Sequence, residues 1–390
     1  MATTTPSWPA HRSRRSTVEV QFGADRAELL RTALVTGDPL ADAVVDEIHE
    51  QGRHVRVALH QGIAHGLDSL TDPPPAVAKL LAQVEATPEY VDDALLDEGS
   101  LPFFTKPAAV TAISLSAGAL VRTYQSPSIS TVLDLTGRLV EGAPRRLQET
   151  GKWLNAAMLP GAMRRGEPGY VGTLQVRLLH AAMRRLARDR GYDEAGYGVP
   201  INQVDLARTW MDFTLTSLNA EQQMGFDITT KEQDSLYRYW WYVAHVLGVE
   251  PNLVEGITSN EQAQRVDDLL QSVTGPLIPQ ASTLTAATIT AVAGRLHELQ
   301  KVQPAVATAA LRALTRKIHG PEISRELSVP EGRFADRLLV AAVPVVARKR
   351  AKLRADPEAW RREQRKNIDF ARQRVTAPDS PTGYEHNAAA

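Results

Sequence analysis

The stretch TLQVRLLHAAMRRLARDRG, residues 173–191, decides how this chain folds. Leu179, Met183 and Leu186 recur at steps of four and three, basic residues fill the other faces, and Gly191 ends the run. That spacing belongs to an amphipathic helix rather than to a strand, which alternates every second residue. The same stretch carries one histidine, His180, with Arg177 before it and Arg184 after it. At about 100° per residue the three side chains fall within roughly a third of the helix circumference.

Helical periodicity extends outward in both directions. RAELLRTALV is followed by DPLADAVVDEIHE, where Asp38 and Pro39 supply an N-cap and a first helical position. AVTAISLSAGALV (109–121) has the small-residue composition of a buried helix, and 130–159 reads as a helix bent near Gly142 and Pro144. YRYWWYVAHVLGV (237–249) reads as a helix ending at Gly248, and further helices are expected near 258–273, 284–300 and 304–318. The last helix, from Arg333 to Val375, turns from apolar to strongly basic halfway along. With hardly any strand-like alternation of four or more residues, the fold class predicted is all-α. Residues 1–22 read as disordered and 23–75 as an N-terminal helical segment jointed at the prolines of 69–75. The main helical domain is assigned to 76–375, and 376–390 read as a disordered tail.

Composition narrows the function. A net charge of −1 over 390 residues argues against a nucleic-acid partner. The absence of cysteine removes thiolate haem ligands, iron–sulfur clusters, cysteine zinc sites and cysteine nucleophiles. No Walker A loop, dinucleotide-binding glycine motif or Gly-x-Ser-x-Gly elbow occurs. Arg14 and Arg15 are followed by no apolar core of a signal peptide, so a cytoplasmic location is the expectation.

Among candidate constellations, His180 backed by Leu174, Val176, Leu178, Leu179, Met183 and Leu186 can serve as the proximal ligand of a haem iron. Arg177 and Arg184 suit the propionates, because guanidinium pairs carboxylate through forked hydrogen bonds. From these residues alone, a core histidine with two surface arginines is the better account. In RRLQETGKW (145–153), Arg146, Glu149 and Thr150 lie close together on a helix, a set able to polarise dioxygen and move a proton. An exposed Arg146–Glu149 ion pair explains them equally simply. His245 sits in an aromatic-rich apolar helix, where such histidines are usually core. His49, His54, His60 and His65 are spaced by five and six, which fits neither zincin nor di-iron patterns, so no metal is assigned there. The basic C-terminal helix fits either an acidic membrane surface or ordinary solvated packing.

Taken in order, TPEYVD (87–92), TGRL (136–139), RLQET (146–150), VRLLHAAMR (176–184), PINQVDLARTWMDFT (200–214) and YWWYVAHVLGV (239–249) resemble the oxygenase MpaB / latex-clearing protein (rubber oxygenase) family. The resemblance spans about 85–320. It implies a globin-like helical core holding one haem b, with dioxygen and a small apolar substrate as partners. It makes His180 the iron's proximal ligand, and links Arg177, Arg184, Arg146 and Thr150 to haem retention or activity. Rubber-cleaving members carry a lysine where this chain has Glu149, with Lys152 about one turn further on. That acid and the lack of a secretion signal point from rubber to a smaller, possibly isoprenoid-type, intracellular substrate, with Glu149 as acid/base. A non-catalytic haem carrier or sensor, a haem-free descendant and a membrane-surface protein acting through the C-terminal helix are the rival readings.

Overall fold

The computed structural model describes residues 7–136 and 143–376, and among these no β-strand occurs. Local chemistry sets the helix ends. Asp38 accepts a hydrogen bond from the Ala41 amide at the start of Pro39–Gln51. Asn202 caps Gln203–Met211 in the same way. Thr229 and Glu232 close a reciprocal capping box on Thr230–Leu247. That helix stops at Gly248, whose φ of 75° is the left-handed geometry that glycine adopts without steric cost.

The principal apolar core runs from Val18 to Ala371 and passes through the Pro39–Gln51, Pro75–Glu85, Pro168–Asp189 and Thr230–Leu247 helices. It does not pause at 69–75, so the N-terminal segment shares its core with the rest of the chain. Residues 8–22 also differ from expectation. Ala10 and His11 donate backbone hydrogen bonds to Ala195 and Gly196, Arg12 pairs with buried Asp205, and Arg15–Phe22 is helical. The sequence hid this order because the partners lie more than 180 residues away.

At the other end the expected single helix is two, Arg333–Arg354 and Pro357–Thr376. Asp356 accepts hydrogen bonds from the Glu358 and Ala359 amides and starts the second one. This is the Asp-Pro signal already present at 38–39. The 130–159 region likewise divides into Pro127–Leu135 and Ala143–Met158. TGRL beyond Thr136, together with Gly142, lies outside the described residues, as do 1–6 and 377–390.

Two segments are wider than an α-helix. Ser114–Leu120 and Asp212–Thr216 are π-helical and pack on one another. Gly118 makes the approach possible, since a Cβ there would sit 3.2 Å from the Ala220 methyl. Such wide turns cost hydrogen-bond regularity and are concentrated near functional sites.

Candidate active site

Ala143–Met158 and Pro168–Asp189 form a tight antiparallel pair. At their joined ends a Cβ on Gly169 would lie 2.8 Å from the Ala156 carbonyl, so only glycine fits. One turn up, the Trp153 indole donates to Thr173 Oγ1 at 3.1 Å. Arg146 is seven residues from Trp153, and His180 is seven residues from Thr173. Seven residues are close to two turns, so both return to nearly the face their predecessors occupy. Burial changes along this pair: Trp153, Leu154 and Ala156 to Met158 are buried, whereas Arg146, Leu147, Glu149, Thr150 and His180 are half-buried. Phe213 and Trp240 pack edge-on or tilted around Trp153 and close the buried end with apolar surface.

His180 differs from its neighbours in one respect. Its Nδ1 is sealed from solvent and has no hydrogen-bond partner. Burial, reinforced by the Arg184 charge and opposed by Asp38, pushes its pKa down to about 4. The imidazole is therefore neutral at physiological pH, the form that binds metal.

The flanking arginines do other work than the sequence suggested. Arg177 is buried and grips Asp38 with both edges, Nε to Oδ2 at 2.6 Å and Nη2 to Oδ1 at 3.0 Å, while Nη1 donates to Gln83. Arg184 donates from Nε to Asp42 and from Nη1 to the Ile201 carbonyl, leaving only a buried Nη2 without a partner. As propionate anchors they are a poor fit, since four of the donor contacts that role needs are already made within the protein. They clamp the histidine-bearing helix to Pro39–Gln51. Gly248 seals the clamp: a Cβ there would come within 2.6 Å of Asp38 Oδ2.

On the partner helix, Arg146 Nη2 donates to the Tyr124 hydroxyl at 3.0 Å, and that hydroxyl lies 3.1 Å from Thr288 Oγ1. Glu149 pairs with Arg145 at 2.8 Å rather than with Arg146. His245 stacks on Tyr242, and its buried Nε2 has no partner. His49, His54, His60 and His65 are exposed. Among the described residues, no group of three His, Asp or Glu side chains could hold a bare metal ion.

The chain matches the family described as "ER-bound oxygenase mpaB/B'/Rubber oxygenase, catalytic domain" over residues 103–370. It belongs to that family. A rubber oxygenase of Streptomyces sp. (strain K30) is 23% identical over 284 residues, 70% of this chain and 65% of that protein's length. The match thus spans just under two thirds of this relative. The fold is also that of a latex clearing protein solved in its closed state, with a TM-score of 0.65 and 19% identity over 94% of this chain and 96% of the other.

Two features of this family member were not picked out of its sequence. Asp205, Arg208 and Asp212 stand at steps of three and four on one helix face, and all are buried. Asp205 takes Arg12, Ser128 and Asn202 as partners, and Asp212 accepts from Thr123 at 2.8 Å. Burial raises Asp212 to about 7 against the pull of Arg208 and Arg122. The spacing was a readable signal, because charges seldom share one face of a mostly apolar helix without a partner. The second is His319, whose Nε2 lies 2.9 Å from the Ala117 carbonyl in the wide turn and whose Nδ1 lies 3.2 Å from Gln125 Nε2.

Proposed function

We propose that this chain is a haem b-dependent oxygenase acting on a small apolar substrate with dioxygen, and that His180 is the axial ligand of the iron. The observation that carries the reading is the neutral, buried imidazole with an orphaned nitrogen, on the face that meets the Arg146–Thr150 turn. A porphyrin brings four of its own nitrogens to the metal, so one protein side chain is enough. That suits a chain whose described residues offer no three-ligand cluster. Bound haem would supply dioxygen binding and activation, which no side chain provides.

The remaining roles fall to residues of the chain itself. Leu147, Trp153, Leu154, Phe213 and Trp240 keep water from the closed end and present apolar surface to a hydrocarbon substrate. Arg146, oriented by the Tyr124 hydroxyl, offers a fixed positive charge, and Thr150 offers a hydroxyl one turn on. Glu149, whose side chain is 12% exposed, is the group in this turn that takes up or returns a proton. Arg177 and Arg184 act at one remove, fixing the helix that aims His180.

An absorption spectrum of protein made under haem-replete conditions tests the assignment. A Soret band is expected, lost in His180→Ala and kept in His245→Ala. A colourless wild-type protein overturns the reading. Oxygen uptake with short isoprenoid hydrocarbons then separates an oxygenase from a carrier, which would show the band and no turnover.

A further inference from the structure

The Arg333–Arg354 helix has two unlike faces. Its inner face is pinned. The Val343 carbonyl and the Ala347 amide approach so closely that a Cβ on Gly225 would lie 3.0 and 3.1 Å from them. Arg350 is buried, donates to the Thr105 hydroxyl and the Asp227 carbonyl, and stacks 4.8 Å from the Trp360 ring. Arg316 holds the start of the helix through Asp336. Nothing about this helix is loosely attached.

The outer face is different. Phe334, Leu338 and Val345 stand at steps of four and seven, a single line along the helix, and are 77%, 55% and 50% exposed. Ala341 and Ala342 are exposed beside them. The same line then passes into Lys349 and Lys352, with Arg348 and Arg337 along its edge, all exposed. None of these four cations has a carboxylate partner among the described residues. Residues 333–376 hold thirteen Lys and Arg against five Asp and Glu, a local excess of +8 on a chain whose total is −1.

We infer that this face is a docking surface for an anionic lipid membrane, on which the helix lies flat. Phe334, Leu338 and Val345 would enter the acyl boundary, and Lys349, Lys352, Arg348 and Arg337 would meet phosphate headgroups. Apolar insertion and basic attraction are the two contributions that surface-lying helices combine. No single helix among the described residues is long and apolar enough to cross a membrane, so a surface contact is the geometry available to it. A second copy fits the face poorly. Two such helices crossing antiparallel would set Lys352 on Phe334 and Lys349 on Leu338 with no carboxylate to meet the charge, and parallel crossing would set lysine on lysine. A nucleic acid would leave the aliphatic line uncovered.

The inference does not depend on haem and is tested without it. Full-length protein is mixed at low salt with vesicles of phosphatidylcholine, alone or with phosphatidylglycerol, and sedimented. Partition onto the mixed vesicles is expected, at least tenfold stronger than onto phosphatidylcholine and weakened by salt. Lys349→Glu with Lys352→Glu should weaken it by more than about tenfold, since each surface basic residue adds roughly a kcal/mol. Phe334→Ser with Leu338→Ser should weaken it without moving the melting temperature downward, because both side chains are already in water. Absence of binding overturns the inference, as does equal binding by both double variants. A concentration-dependent dimer abolished by Phe334→Ser with Leu338→Ser would also overturn it, assigning the face to a second copy.

Discussion

His180 and His319 are both buried, and both are pushed down to about 4 mainly by desolvation. Their surroundings are otherwise opposite. His319 has a carbonyl at one ring nitrogen and a side-chain amide at the other, and ties the Pro304–Glu326 helix to the wide turn at Ala117. His180 lies between two arginines held by carboxylates, yet its own Nδ1 is left with nothing. An imidazole that completes its hydrogen bonds inside the protein is structural. One that is neutral, buried and incomplete is available to a ligand. The pKa shift is the same in both and cannot tell them apart; the orphaned atom can.

The largest effect expected on this contrast comes from Asp38→Ala. It removes the partner of buried Arg177 and the cap of the Pro39–Gln51 helix together. Leaving a buried guanidinium uncompensated costs about 3–5 kcal/mol, read as a shift in a denaturant melt. A variant as stable as the parent would mean that the arginines are not the fixed frame around His180.

A smaller effect separates the partnered histidine by its titration. In the unfolded chain His319 titrates near 6.5 and in the fold near 4, so its contribution is fully present above 6.5 and is lost as pH falls towards 4. Replacing it with Gln, which does not titrate, should flatten the stability curve in that window by up to about 1.4 kcal/mol per pH unit. Unchanged slopes in His319→Gln would remove His319 as a buried neutral group. The smallest effect belongs to Arg145→Ala. Its partner Glu149 is in the site, but Arg145 itself is 68% exposed, so the melt should move by no more than about 0.5 kcal/mol. A larger shift would show that Glu149 depends on this pair for its place.

What could be read beforehand divides along physical lines. The all-α architecture, the Asp38-Pro39 start and the Gly248 stop were legible because caps and periodicity are local properties of the chain. Residues 87–249 carried the family resemblance, which the match over 103–370 supports. Partner choice was not legible. Arg177 and Arg184 looked free because Asp38 and Asp42 lie about 140 residues away, and only the packed fold brings them together. Arg12 was hidden from Asp205 for the same reason. The wide turns left no trace in spacing, since an apolar run of small residues reads equally well as α or π.

Those wide turns make the interior sensitive to length rather than to identity. Each π segment spreads its backbone over more residues per turn than the helix on either side, so removing one residue from 114–120 would let the run relax to α. Everything after the deletion would then rotate by about 100°. Thr123 would swing off Asp212, Arg122 off Asp267, and Tyr124 off Arg146. A shortening of one amino acid, with no charge or large side chain altered, would rephase three buried partnerships at once.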